Sequence, residues 1–314
     1  MTEFAVELSN VTKTFGTNTA VRDLDLAIPA GSIYGFIGPN GSGKTTTIRM
    51  ILRIFFPDRG RVTILGASEG NCADDRVGYL PEERGLYRRM KVRDLLQYYA
   101  RLKGFRDCNG EIDFWLNRLG AADWASRKIE TLSKGMTQKV QFMAAVIARP
   151  KLLILDEPFS GLDPINLELL REAILEIRSR GATIIFSTHE MDVAERMCER
   201  VFMIHNGNKV LDGTVAEIQK RYPADEVRVR LSEEQVLPDQ IRGVISREER
   251  GAYIHLKLQD GSEANELLKR LANESQLEHF ELLRPSLHNI FIRMAGPEAV
   301  DSKLSDPPML SKSN

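Results

Sequence analysis

The sequence predicts an α/β protein. A mostly parallel sheet should form its centre, with an antiparallel strand region before it and a small α+β unit after it. Three observations carry this expectation. Lys151–Pro158 contains a near-continuous apolar run, and Ala182–His189 contains another, as in strands buried on both faces of a parallel sheet. Ser32–Ile37 reads as a strand that passes through a glycine-rich stretch into the helical Thr45–Leu52, which is strand–loop–helix order. Composition shifts near Arg221-Tyr222-Pro223, and alternating short stretches resume beyond it.

The chain has 314 residues, enough for about two domains. The expected division is 1–222, 223–295 and a disordered tail from Gly296, with a helical insertion over about 88–150. Hydrophobic residues make up 42% and charged residues 28%, as in an ordinary globular protein. A net charge of −1 gives no global pull toward nucleic acid or anionic membrane. Cys72, Cys108 and Cys198 form no C-x-x-C pair, so neither a disulfide frame nor a zinc site is expected, and they fit a reducing cytosol. The N-terminus lacks the basic start and apolar core of a signal peptide. No apolar run approaches the roughly 18 residues that span a bilayer, so any membrane part must come from another chain.

Taken in order, Phe4–Leu8 and Leu24–Ile28 alternate as antiparallel strands. Phe15 lies between them beside Gly16, either as an aromatic that stacks on a base or as a strand-end core residue. Gly38-Pro39-Asn40-Gly41-Ser42-Gly43-Lys44-Thr45-Thr46 then matches G-x-x-x-x-G-K-[ST], a phosphate-binding loop. Its glycines let successive backbone N–H groups turn inward as an anion nest. The following helix adds the positive end of its dipole. Lys44 is placed to reach β- and γ-phosphates, and the Thr45 hydroxyl to ligate Mg²⁺.

Gly60–Gly66 is a short strand and turn, and Val77–Leu80 a strand that breaks at Pro81. Glu82, just past that strand, is either a Mg²⁺ or water contact or a solvated loop acid. Residues 91–150 read as helices, with Val92, Leu95, Leu96, Tyr99 and Leu102 on one face and Phe114, Trp115, Leu116 and Leu119 on another. Ser133 and Gly135 open a long helix running to Ala148, either as a second anion-binding terminus or as a routine cap.

Asp156 and Glu157 end the apolar run at the carboxyl edge of the sheet, where α/β proteins bind ligands. Asp156 suits Mg²⁺ and Glu157 suits general-base attack by water; buried acids without such a task are costly. Ser160–Pro164 turns into helix 165–180, with Leu167, Leu170, Ile174 and Ile177 inward. His189 ends the next strand within reach of a γ-phosphate, and Val201–Ile204 closes the sheet before the Asn206-Gly207 turn. In the C-terminal part, Glu226–Leu231 and Ala252–Leu258 alternate as strands and Glu263–Ala272 is an amphipathic helix. Phe280–Leu283 and Asn289–Ile292 complete the unit, which shows no catalytic constellation.

Together these motifs resemble the ATP-binding subunit of an ABC transporter over residues 4–213. Gly38–Thr45 matches the Walker A loop of that family, and Leu152–Glu157 matches Walker B with its catalytic glutamate. Leu132–Met136 matches the signature, Ser160–Asp163 the D-loop and His189 the switch histidine. Phe15 falls where the family places its adenine-stacking aromatic. Two motifs depart: Lys134 and Met136 alter the L-S-G-G-Q signature, and Glu82 replaces the Q-loop glutamine. A carboxylate at that position can ligate Mg²⁺ but donates no hydrogen bond. Gly78–Tyr87, Lys134 and Pro285–Phe291 are similar to bacterial ABC-2-type exporters of the sodium-efflux kind.

The resemblance implies a P-loop ATPase with an antiparallel β-subdomain, a RecA-like core and an inserted helical subdomain. It implies ATP and Mg²⁺, with Glu157, His189 and Lys44 as catalytic residues. Phe15, Gly38 to Thr46, Ser133, Gly135 and Asp163 would bind ATP, and Thr45, Asp156 and Glu82 the metal. It further implies a head-to-tail homodimer and a polytopic membrane subunit, on the inner face of the cell membrane. The helical subdomain and the loop after Glu82, including Arg84, Tyr87, Arg88 and Arg89, would receive that subunit's cytoplasmic helices, with a solvated charged face the alternative for Arg88 and Arg89. A rival, a soluble ABC ATPase acting on ribosomes or nucleic acid, lacks its usual marks here: paired cassettes, sustained heptads, Cys pairs or a basic excess. No nucleic-acid partner is expected.

Overall fold

Alternating apolar residues at the start of the chain build an antiparallel layer. A computed structural model describes residues 4–67, 75–83, 85–232, 237, 241–259, 261–274 and 277–295. Cys72, Arg84 and the tail from Gly296 lie outside the described residues. Strands β1 (Phe4–Phe15) and β2 (Asn18–Pro29) lead into β3 (Ile33–Ile37), helix α1 (Lys44–Ile51) and β4 (Arg59–Ile64). The antiparallel sheet has the order β2-β1-β4. Its first two strands are longer than the sequence pattern suggests. Register shifts near Leu8, Val11 and Lys13 absorb polar residues that break the alternation, and the ladder continues past them.

A second sheet is assembled from buried runs. It contains β3, β5 (Val77–Leu80), β6 (Leu152–Asp156), β7 (Thr183–Thr188), β8 (Arg200–His205) and β9 (Asn208–Thr214), in the order β5-β6-β7-β3-β8-β9. The pairs β5–β6, β6–β7, β7–β3 and β3–β8 are parallel. Every residue of β3, β6 and β7 is buried, as the sequence anticipates. The sheet does not close at β8. Asn206-Gly207 supplies the two-residue hairpin turn, and β9, a half-polar edge strand, follows it. One apolar cluster joins the layers: Val6, Leu8 and Ile28 meet Ile48 and Met50 of α1, and Phe36, Ile154, Ile185 and Phe202 of the parallel sheet. The helix behind the phosphate loop is thereby gripped from two sides.

Between β5 and β6 come α2 (Val92–Leu102), α3 (Asn109–Arg118) and α4 (Lys134–Val146). Val92, Leu95, Leu96 and Ala100 bury one stripe of α2. Leu102, placed on that stripe by spacing, ends the helix 63% exposed. Helix α5 (Pro164–Ser179) buries Leu170, Ile174 and Ile177, with Leu167 half-buried, and α6 (Met191–Met197) precedes β8.

Charge holds α3 where apolar surface runs out. Glu111 is buried, with Oε2 accepting from Arg149 Nε at 2.8 Å and Oε1 from Arg180 Nη1 at 2.8 Å and Trp115 Nε1 at 3.0 Å. The Arg180 guanidinium also lies 4.5 Å from the Phe114 ring centroid. Arg118 pairs with Glu172 and Glu176 of α5, each at 3.0 Å.

The chain divides into two compact units, Met1–Gly213 and Thr214–Asn314. The second begins with α7 (Val215–Lys220), whose Thr214 and Glu217 form a capping box. It continues with β10 (Glu226–Leu231), β11 (Val244–Arg250), β12 (Tyr253–Leu258), α8 (Ala264–Glu274), β13 (Leu277–Leu283) and α9 (Leu287–Ala295). The sheet order is β11-β12-β10-β13, antiparallel throughout. Val227, Val229, Leu256 and Leu258 pack with Leu267 and Leu271 of α8. Arg228, Tyr253 and His255 alternate with them. Strand β11, an edge strand of sequence VISREER, carries no apolar alternation and is not anticipated by pattern.

Replacing Glu111 with Ala leaves the buried Trp115 N–H unpaired, takes the carboxylate from Arg149 and leaves Arg180 with Glu176 alone. We expect a loss of about 2 kcal/mol, read as a lower urea midpoint at unchanged slope. An unchanged midpoint would show that the cluster is ornamental.

Candidate functional site

The phosphate loop runs from the end of β3 to the start of α1. Gly38 has φ +150°, and a Cβ there would stand 2.2 Å from the Ile204 carbonyl oxygen of β8. Gly43, the residue before α1, has φ +115°, so the helix starts without a side-chain cap and its first N–H groups remain open to a ligand. The Ser42 hydroxyl is buried without a partner in the same loop. Lys44 is only 6% exposed, and its Nζ donates to Gly38 O at 2.7 Å and Pro39 O at 3.1 Å. Burial pushes its pKa down, opposed by the charges of Glu157, Asp156 and Glu82. These four residues therefore share one electrostatic field.

The two acids end β6. Asp156 is 2% exposed, and its Oδ1 accepts from the Ser187 hydroxyl of β7. Glu157 has φ +50°, a left-handed backbone that non-glycine residues seldom adopt outside functional turns. Its N–H donates to Ser187 O and Ser187 Oγ, both at 3.2 Å. Its Oε1 lies 2.9 Å from His189 Nδ1. An ionised carboxylate only accepts, so this bond requires the Nδ1–H form of the imidazole. Tyr79 of β5 feels Asp156 and Glu82: burial first, then Asp156, raises its pKa to about 12.

Helix α4 fastens the neighbouring loops. Gln138 Nε2 donates to Pro158 O at 2.5 Å, and Gln141 Nε2 to Pro81 O at 3.2 Å and Glu83 O at 3.3 Å. Glu82, Lys134, Gln138, Gln141, Glu157 and Ser160 line a cavity of about 220 Å³. Lys134 reaches over the turn after β6, its Nζ 3.1 Å from where a Cβ on Gly161 would sit. Phe15 is 44% exposed at the end of β1, edge-on to Phe55 with centroids 5.4 Å apart, and so lies outside the core.

The chain thus brings Lys44, Asp156, Glu157, Glu82 and His189 together. Ser133 and Asp163 serve locally among the described residues. Ser133 Oγ caps α4, accepting from Met136 N at 3.3 Å, and Asp163 Oδ1 caps α5, accepting from Asn166 N at 2.9 Å. Those bonds, with Asn166 N first, hold the Asp163 carboxyl below its usual range. Gly135 is half-buried in the first turn of α4. Pattern reading passes over Ser187, Gln138 and Gln141. Their signal is a polar residue on a face that is otherwise buried.

A family profile described as "ABC transporter" matches residues 21–160, and one described as "ATP-binding protein DrrA1-3-like, C-terminal domain" matches residues 213–295. An uncharacterized ABC transporter ATP-binding protein, YhaQ of Bacillus subtilis (strain 168), is 41% identical over 92% of this chain and 98% of its own. Nod factor export ATP-binding protein I of Rhizobium sp. (strain N33) is 32% identical over 95% and 99%. A solved ATP-binding subunit of an ABC transporter superposes with a TM-score of 0.64, 31% identity and coverage of 69% of this chain and 92% of that one. CbiO1 from Clostridium perfringens, part of the cbiONQ complex, shares the fold at a TM-score of 0.60, 22% identity and coverage of 70% and 94%.

Gly38→Ala drives a methyl group into the backbone of β8. We expect about 2–3 kcal/mol of destabilisation and at least tenfold weaker ATP binding, measured by melting and by fluorescence titration. Parent-like affinity would mean that the loop closes differently.

Proposed function

We propose a specific role from one premise: the chain belongs to the ATP-binding proteins of ABC transporters. It is the ATP-binding subunit of such a transporter and an ATPase. The role we infer is to power export through a separate membrane subunit, as a head-to-tail homodimer that closes on two ATP molecules. The observation that carries the hydrolytic part is Glu157, held 2.9 Å from His189 beside the buried Lys44.

The chemistry divides among this chain's own groups. Backbone N–H groups of Asn40 to Thr46 and the Lys44 ammonium take the β- and γ-phosphates of the substrate, with Gly38 and Pro39 shaping the loop, and Phe15 takes the adenine. Glu157 accepts a proton from the attacking water while His189 fixes the carboxylate's orientation. Among the described residues no three acidic, His or Cys side chains converge as metal ligands. Three oxygen donors, Asp156, Thr45 and Glu82, suit Mg²⁺ that arrives on nucleotide phosphates. Mg²⁺ would neutralise charge developing on those phosphates.

Dimerisation is supported by the placement of Ser133 and Gly135. They sit at the start of α4, at the signature positions that the family resemblance pairs with a nucleotide held by a second copy. Ile165, 82% exposed beside Asp163, suits the same covered face. No described helix is long and apolar enough to cross a membrane. Docking of a membrane subunit on the inner face of the membrane is supported by an exposed aromatic patch, where the Tyr87 and Tyr98 rings lie 5.5 Å apart near Leu102. Arg88 and Arg89 follow Tyr87. Export is supported by the relative named for Nod factor export.

Glu157→Gln removes the base and keeps the shape. With ATP and Mg²⁺ we expect turnover to fall at least a hundredfold and a stable dimer to elute in size-exclusion chromatography. A persistent monomer would sink the composite site. The same variant, purified from native membranes, should bring a polytopic membrane protein with it. Ribosomal or nucleic-acid partners alone would overturn the transport role.

A further inference from the structure

Ser187 is fully buried in β7, where the parallel register sets it directly opposite Asp156 of β6. Its hydroxyl carries one proton. The Asp156 carboxylate can only accept, so that proton goes to Asp156 Oδ1. A lone pair of the same oxygen accepts the Glu157 N–H at 3.2 Å, which the Ser187 carbonyl shares at 3.2 Å. Glu157 lies at φ +50°, a conformation that is unfavourable for a residue with a Cβ and persists only when its surroundings hold it. Two residues along the same strand direction, His189 meets the Glu157 side chain at 2.9 Å. The carboxyl end of β7 therefore grips Glu157 at both its backbone and its carboxylate.

We propose that Ser187 is a positioning residue for the metal–nucleotide complex: its hydroxyl occupies Oδ1 of Asp156, leaves Oδ2 for the cation, and pins the left-handed turn of Glu157. This rests on the reading of Asp156 as the metal-side acid given above. A serine that merely satisfied a buried carboxylate would stabilise the fold. It would leave the cation's affinity alone. Ser187 does more, because the group it orients is itself a ligand, and outer-shell partners of that kind typically change metal affinity about 10–100-fold.

The test uses the full chain, with Mn²⁺ as the probe and its free fraction read by electron paramagnetic resonance in the presence of ATP. In Ser187→Ala we expect the Mn²⁺ half-saturation to rise about tenfold, while ATP binding in EDTA stays within about twofold of the parent. Ser187→Thr, which keeps the hydroxyl, should stay within about threefold. If Ser187→Ala fails to fold, Ser187→Cys, of similar volume and weaker donor strength, carries the same comparison. A Ser187→Ala half-saturation within twofold of the parent overturns the proposal, as does a Ser187→Thr as weak as Ser187→Ala. Asp156→Asn separates the two levels of inference. If it loses Mn²⁺ and Ser187→Ala does not, Ser187 alone is misassigned. If neither loses it, the metal-side reading of Asp156 falls as well.

Discussion

A lysine ammonium at 6% exposure has to remain charged to be of use, and the solution found for Lys44 organises the first unit. Desolvation favours the neutral amine. Two carbonyl oxygens of its own loop and the field of three carboxylates oppose that tendency. The carbonyls turn inward only because Gly38 adopts a backbone closed to other residues and lies against β8. The carboxylates arrive only because β5 and β6 run parallel and end at the same edge. The antiparallel layer contributes by clamping α1, so that the loop between β3 and α1 cannot relax outward.

Much of this was legible in the chain. The glycine spacing before Lys44 marks a phosphate loop, the apolar runs ending in Asp156-Glu157 and His189 mark buried strands, and the two acids stand out because buried charge needs a purpose. Lengths and edges were less legible. β1 and β2 run on through register shifts that no alternation records, and β11 is an edge strand whose polar residues hide it. Leu102 fits an inward stripe by period and faces outward, because it is the last residue of its helix. Ser187, Gln138 and Gln141 were illegible for another reason. Each acts through a hydrogen bond to a group distant in sequence, and spacing carries no information about such bonds.

The two departures from the family pattern meet in one place. Lys134 and Glu82 line the same cavity, with Glu157 at its wall. A cation in the signature and an acid at the Q-loop thus change the charge of that cavity in opposite senses. In the second unit, charge is arranged differently. One face of the four-stranded sheet is apolar beneath α8, and the other carries Arg228 over Tyr253 at 5.0 Å and paired to Glu281. Among the described residues there, none repeats the chemistry of the first unit.

Gln138 and Gln141 lie three residues apart on α4 and so share a face of that helix. One amide holds the carbonyl of Pro158, just after Glu157, and the other holds the carbonyls on either side of Glu82. The first turn of the same helix carries Ser133 and Lys134. Both loops are thereby tethered to one helix, each through a single amide side chain. In mechanical terms, the turn after Glu157 and the loop around Glu82 share a common anchor, so a displacement of α4 reaches both.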